Sequence, residues 1–260
     1  MIFDTDLHVH TCLSPCGKDE MLPRDIIKTA VDRGITRLAI TDHFYPFTDL
    51  STLDQVRADV LAACRRLNGS LKVFFGCEAE IMAPGKAAGS PDIARKLDFI
   101  MAGATHFQNA GITEFPKYAD DHDTARYILD VFAYAVSLPW VDSIAHPFFV
   151  PPSVCSGEIV NLLQDSQLLP ALESARQNNV AMEISRRVFH TPEQLRFARR
   201  FYSLCKQVGL KFTIGSDAHQ LSDIGNVRIL EPFIAELGLA RQDFRLPESK
   251  TLGERLQTLG

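Results

Sequence analysis

Six of the eight histidines of this chain fall where a single patch of chemistry can use them. His8 and His10 lie one residue apart in the apolar run Phe3-Asp4-Thr5-Asp6-Leu7-His8-Val9-His10. Side chains alternate faces along a strand, so both imidazoles point one way with Asp6 one step deeper, while Leu7 and Val9 point the other. Further apolar segments run into Thr41-Asp42-His43, Gly76-Cys77-Glu78-Ala79-Glu80, Ala104-Thr105-His106, Ile144-Ala145-His146-Pro147 and Gly215-Ser216-Asp217-Ala218-His219. The i, i+2 spacing recurs in Glu78/Glu80 and in Asp217/His219. A lone histidine at a strand end is ordinarily a polar loop residue. Six in the same kind of place, accompanied by carboxylates, describe a metal centre. Neutral imidazoles with carboxylates suit Zn, Mn or Fe rather than Ca or Mg alone. The donors are too many for one tetrahedral ion, so two to three divalent metal ions are expected.

Such a centre needs a scaffold that gathers strand ends. Strand-like segments lie near residues 3–9, 36–41, 72–79, 97–104, 141–145, 180–185 and 211–215, with helical patterns between them. The pattern at 23–34 opens with Pro23 and stops at Gly34, as helices prefer, and Ile26, Ile27, Ala30 and Val31 make one stripe. Further helices are expected near 52–67, with Val56, Val60, Leu61 and Cys64 buried, at 121–137 and at 191–209, with one or two shorter ones around Pro170. Seven βα units imply a parallel sheet covered by helices, curved into an α/β barrel. The barrel forms a single domain over 1–260, with a core at 3–226 and a helical or irregular C-terminal tail at 227–260. The longer loops, 44–51, 82–92, 107–120 and 147–156, each follow or lie close after a strand, on the side where such barrels place their active sites.

Composition sets outer limits. With 260 residues, 46% hydrophobic and 23% charged, the chain has enough apolar material for a sizeable core. A net charge of −5 argues against long-range attraction to nucleic acid or anionic membrane, though not against an anionic substrate held by bound cations. No apolar run is long enough to span a membrane, and no basic-then-apolar leader opens the sequence. Six scattered cysteines do not form a disulfide framework, so a reduced, cytoplasmic protein is expected.

Taken together, Asp6-x-His8-x-His10-Thr11, Thr41-Asp42-His43, Glu78, His106, His146-Pro147 and Ser216-Asp217-x-His219 resemble the polymerase-and-histidinol-phosphatase (PHP) superfamily, in the order that family uses and over nearly the whole chain. The resemblance implies a distorted (β/α)7 TIM-like barrel with a trinuclear site. It implies that His8, His10, Glu78 and Asp217 hold one ion, and that Glu78 bridges to a second held by His106 and His146. His43 and His219 would hold the third. It also implies hydrolysis of phosphate esters, through attack by a metal-bridging hydroxide on a small phosphomonoester, a nucleotide or a short nucleic acid.

One position departs from the family pattern. Where relatives often carry another ligand for the third ion, this chain reads Ser14-Pro15-Cys16-Gly17. Cys16 is either a thiolate ligand or a small residue in a tight turn. Asp6 either orients an imidazole or is simply a buried, hydrogen-bonded carboxylate, and Glu80 either shares that orienting role or faces solvent. Strand six ends in Ala181-Met182-Glu183-Ile184-Ser185-Arg186-Arg187, offering arginines rather than a ligand. Arg186 or Arg187 is the expected phosphate clamp, since a guanidinium matches two phosphate oxygens; the competing account makes them solvated loop residues. His190 and Lys117 are weaker candidates. Asp217 or His219 are the candidates to relay a proton to the leaving oxygen, although a ligand makes a poor free acid. The aromatics Phe44, Tyr45, Phe47, Phe107, Phe115, Phe148 and Phe149 either stack on a substrate or pack the long loops. Amidohydrolases, which cleave C–N or lactone bonds, share the His-x-His opening. They fit less well because strand four ends in Thr105-His106, where those proteins favour a lysine. A metal-binding regulatory domain without turnover is the non-enzymatic alternative.

Overall fold

The computed structural model describes residues 2–65, 71–116 and 120–247. The first half carries β1 (Thr5–Val9), α1 (Pro23–Asp32), β2 (Arg37–Ile40), β3 (His43–Phe44), α2 (Leu50–Cys64), β4 (Lys72–Ala83), β5 (Lys86–Ala87), α3 (Pro91–Lys96) and β6 (Phe99–Gly103). The second half carries α4 (Asp121–Ser137), β7 (Ser143–Ala145), α5 (Asp165–Gln177), β8 (Ala181–Ser185), α6 (Pro192–Val208), β9 (Phe212–Gly215) and α7 (Glu231–Glu236). Lys117 and residues 248–260 of the expected tail lie outside the described residues.

Seven parallel strands run in the order β1-β2-β4-β6-β7-β8-β9, each beside the next in sequence. The chain just past β9 then meets β1: Val9 bridges Ala218, His10 N–H donates to the Ala218 carbonyl at 3.0 Å, and Ala218 N–H donates to the His8 carbonyl at 3.2 Å. The result is a nearly closed parallel barrel, as expected. β3 resumes the line of β2 after Thr41-Asp42 and sets His43 opposite Glu78. β5 folds back, antiparallel, on the far end of β4.

Outward-facing residues of the later strands, Ile144, Met182, Ile184, Phe212 and Ile214, share one core with α4, α5 and α6. Leu38, Ile40 and Val9 share another with α1 and α2. The barrel interior is apolar at depth, where Leu7, Ala39, Phe74, Phe99, Met101 and Ala145 pack together. Among the described residues, no helix is long and apolar enough to cross a membrane. All six cysteines are free.

Three local expectations are corrected. Helix α2 buries Val56 and Val60, but Leu61 is 46% exposed and Cys64 only half-buried. Val60 and Leu61 are adjacent, and 100° of rotation carries Leu61 off the face that Val56 and Val60 share. The loop 82–92 holds β5 and the start of α3, which Ser90 caps by accepting from Ile93 N–H, with Pro91 in its first turn. Strand β1 does not alternate regularly. Asp6 pairs with Leu38 but Val9 with Ile40, so β1 carries one extra residue in between. That bulge brings Leu7 into the interior together with His8 and turns Asp6 off the imidazole face.

Candidate metal centre

The centre is built at the carboxyl ends of the strands. β1 delivers His8 and His10, β3 delivers His43, and β4 delivers Glu78 and Glu80. The turns after β6, β7 and β9 deliver His106, His146, Asp217 and His219. His146 and Asp217 have φ of +27° and +53°, unusual for residues with side chains. Such conformations cost on the order of 1–3 kcal/mol each and persist where the surroundings impose them. Here the Glu183 carboxylate accepts the His146 backbone N–H at 2.7 Å.

The donor atoms form two corners that share Glu78. In the first, His8 Nε2 lies 3.1 Å from His10 Nε2, 3.3 Å from Glu78 Oε2 and 3.6 Å from Asp217 Oδ1. His10 Nε2 lies 3.6 Å from the same Glu78 oxygen and 3.5 Å from the same Asp217 oxygen. In the second, His106 Nε2, His146 Nε2 and Glu78 Oε1 stand 3.3, 3.3 and 3.4 Å apart. Tetrahedral ligands about 2.0–2.1 Å from a zinc ion are about 3.3 Å from one another. The spacings therefore fit four donors around one ion, and three donors with an open position around another. Glu78 Oε1 is buried without a hydrogen-bond partner, as is His43 Nδ1, which stands 3.2 Å from Glu78 Oε2. Unpaired buried polar atoms of this kind call for a ligand.

Neighbouring carboxylates fix how the rings present themselves. Glu183 Oε1 accepts from His8 Nδ1 at 2.8 Å, and Glu80 Oε2 accepts from His106 Nδ1 at 3.1 Å and from the Asn109 amide at 3.3 Å. His219 Nδ1 donates to the Asp217 carbonyl at 2.9 Å. Each of these bonds holds a proton on Nδ1, so Nε2 is the nitrogen that binds metal once it carries no proton of its own.

The charges are strongly coupled. Burial opposes charge on every buried group, but Glu183, Glu78 and Asp217 together hold His8 well above the usual histidine range. Burial is likewise overcome at His106, where Glu80 and Glu78 raise it to about 9. At His10, burial prevails and lowers it to about 4, and it holds His43 well below the ordinary value. Against burial, His106, His8 and His43 keep Glu78 well below the carboxylate range; His8, His10 and Arg187 do the same for Asp217. The metal-free centre thus carries ionised carboxylates beside protons on His8 and His106, in the places where cations would sit.

Other candidate residues fall into separate places. His10, Cys16, His43 and His219 gather into a further group, with one donor atom from each lying within 4.8 Å of the others. Burial and the carboxylates of Glu78, Asp217 and Asp42, against a hydrogen bond with Ser14, push the Cys16 thiol up to about 12. Arg187 reaches the centre: its Nε donates to Asp217 Oδ2 at 2.7 Å, and its guanidinium lies 5.0 Å from the Phe149 ring centre. Arg186 instead donates to Asp223 at 2.8 Å. In the Thr41-Asp42-His43 run only His43 faces the donors. Thr41 Oγ1 accepts from Val9 N–H, and Asp42 accepts from the Thr11 backbone and hydroxyl. Of the mouth aromatics, Phe44, Tyr45, Phe107, Phe148 and Phe149 are buried, Phe115 packs against Phe107, and only Phe47 is largely exposed. Loop packing therefore accounts for most of them.

Of the two roles open to Asp6, the structure shows the buried, hydrogen-bonded carboxylate, and Glu183 orients the imidazole instead. Asp6 accepts from Ser216 N–H and hydroxyl and from Gly225 N–H, fastening the turn after β9 to β1. Glu183 holds His8 and the His146 backbone. Its signal was a lone carboxylate in the otherwise apolar strand Ala181–Ser185, on the face opposite Met182 and Ile184.

Comparison with known proteins adds an independent finding. The family model described as PHP domain matches residues 6–187. A protein of Caldicellulosiruptor bescii named as a probable phosphatase is 25% identical over 91% of this chain and 88% of its own length. One of Deinococcus radiodurans named as a probable histidinol-phosphatase is 25% identical over 85% of this chain and 88% of its own. Among solved structures, histidinol phosphate phosphatase of Lactococcus lactis, complexed with zinc, L-histidinol and phosphate, superposes with a TM-score of 0.57. Its identity is 17%, over 91% of this chain and 94% of that one, and the likeness is one of fold.

Proposed function

The chain belongs to the PHP domain family, and on that premise we propose that it is a metal-dependent phosphatase acting on a small phosphomonoester. The observation that carries this reading is Glu78, whose two oxygens belong to two neighbouring donor corners. In this assignment His8, His10, Glu78 and Asp217 hold one divalent ion, and Glu78, His106 and His146 hold a second. Ions bound there supply a nucleophile from water near neutral pH and charge stabilisation for phosphoryl oxygens. The chain's own residues do the rest. Glu183 and Glu80 keep His8 and His106 in the metal-binding tautomer. Arg187, anchored on Asp217 and Phe149 and 30% exposed, is assigned to bind a substrate phosphate with the N–H groups that Asp217 does not use. Arg186, tied to Asp223, is assigned to the wall rather than to the clamp.

Neither Asp217 nor His219 is given the proton-relay role. Asp217 has one oxygen in the first corner and the other on Arg187, and it stays ionised. His219 spends its Nδ1 proton on the Asp217 carbonyl. The net charge of −5 and the mostly buried mouth aromatics favour a small substrate over a short nucleic acid. Curated relatives named as phosphatases agree with this reading. Six free cysteines fit a reducing compartment such as the cytoplasm.

The test is a substrate panel on protein stripped of metal and reloaded with zinc or manganese. Its arms are phosphomonoesters including histidinol phosphate, a phosphodiester, a short oligonucleotide and a lactone. Metal-dependent release of inorganic phosphate from a monoester is expected. Lactone turnover without phosphate release would move the chain to amidohydrolase chemistry, and activity on the diester or oligonucleotide alone would overturn the small-substrate assignment.

A further inference from the structure

Cys16 occupies a position that the two Glu78 corners leave unused. It sits in the turn Ser14–Gly17, closed by the Gly17 N–H to Ser14 carbonyl bond at 3.0 Å, with Pro15 second in the turn. A Cβ on Gly17 would collide with the Thr11 carbonyl, so the turn is pressed against the end of the first strand. Lys18 N–H donates to the His219 carbonyl at 3.0 Å, and His43 N–H donates to Ser14 Oγ at 3.3 Å. These bonds bring the turn, β3 and the segment after β9 to one point, where Cys16, His43 and His219 converge beside His10. His43 is nine-tenths buried, with its Nδ1 3.2 Å from Glu78 Oε2 and its ring stacked 4.7 Å from that of His10. His219 presents the lone pair of Nε2.

We propose that Cys16 Sγ, His43 and His219 form a third cation site whose sulfur ligand makes it selective for thiophilic ions such as zinc or cobalt over manganese or magnesium. Sulfur at about 2.3 Å and nitrogen at about 2.1 Å from a tetrahedral ion stand about 3.6 Å apart. The donors lie within 4.8 Å, so small side-chain rotations close them around an ion. Three protein ligands leave a fourth position open, the pattern of a site that also touches substrate. Binding replaces the thiol proton by the metal and releases that proton to solvent. Soft thiolate ligands favour zinc, cobalt and copper(I), whereas manganese and magnesium prefer oxygen. The inference rests on the proposed metal centre and gives its third ion a distinct chemistry.

The experiment is a cobalt(II) titration of the metal-free full chain, followed by near-ultraviolet absorption and by native mass spectrometry. The wild type is expected to bind three ions and to develop a thiolate-to-cobalt charge-transfer band. Cys16→Ser should lose the band and one ion while keeping two. Cys16→Asp should lose the band yet regain a third ion with manganese. In the unmutated chain, zinc should shield Cys16 from alkylation, as read by peptide mapping, which needs no variant to fold. Two ions bound without the band, a band that survives Cys16→Ser, or Cys16 alkylated equally with and without zinc would overturn the thiolate site alone. No cobalt uptake at all would overturn the whole metal centre with it.

Discussion

The most informative single change is Glu183→Gln. Glu183 is fully buried and accepts two hydrogen bonds, from His8 Nδ1 at 2.8 Å and from His146 N–H at 2.7 Å. The amide keeps the shape but retains only one acceptor oxygen, so one of the two donors is left facing an NH2 group. Losing a buried hydrogen bond to a charged group costs about 1.5–3 kcal/mol. At about 1.4 kcal/mol per decade, that is a ~10- to 150-fold loss of affinity for the ion whose ligand is no longer aligned. If the amide oxygen stays on the His146 backbone, the loss falls on the first corner through His8. The assay is chelator competition with zinc, with ions counted by native mass spectrometry and folding followed by circular dichroism. Turnover at saturating metal should stay within a few-fold of wild type, because Glu183 positions a ligand rather than touching substrate. Wild-type affinity for every ion in a folded Glu183→Gln chain would refute the reasoning.

Four other outcomes follow from the same geometry. A Cβ at Gly103 would lie 2.5 Å from His106 Cε1 and 3.2 Å from Glu78 Oε1; Gly103→Ala should therefore cost the second ion at least about tenfold in affinity while sparing the first, as read by the same competition assay. Arg187→Ala should raise KM for a phosphomonoester and lower kcat with metal content unchanged, whereas Arg186→Ala should do neither beyond a small loss of stability from the Asp223 pair; steady-state kinetics on both variants checks this. His106 in the metal-free protein sits at about 9, so below that pH a proton competes for the second corner. Apparent zinc affinity should rise by up to about tenfold per pH unit from 7 toward 9, with proton release detectable in weak buffer. The same raised value means that His106 stabilises the metal-free fold most fully below about pH 6.5 and loses that contribution as pH rises through 9, a trend that thermal melts of the metal-free chain should show.

The barrel was legible because alternating apolar strands and amphipathic helices obey simple periods, and Pro23, Gly34 and Thr191 mark helix ends by their backbone chemistry. That the donors gather at one mouth was legible because the carboxyl ends of parallel strands lie together, whereas their division into two corners sharing Glu78 came from the resemblance to the PHP superfamily. What escaped depends on contacts between distant segments. Nothing local announces the extra residue of β1, which a neighbouring strand defines, so the face assigned to Asp6 was wrong. Glu183 reads as one carboxylate in an apolar strand until His8, 175 residues away, is laid against it. Arg186 and Arg187 are adjacent and chemically identical, and only the positions of Asp223 and Asp217 separate them.

The claim on which the rest depends is that Glu78 joins two ions. Anomalous diffraction at the zinc edge from crystals of the zinc-loaded chain tests it directly. Two zinc peaks about 3.5–4 Å apart are predicted on either side of Glu78, one among His8, His10 and Asp217 and the other between His106 and His146, with a third peak beside Cys16 if that site is also filled. A single zinc peak beside Glu78, or none there, would contradict the account.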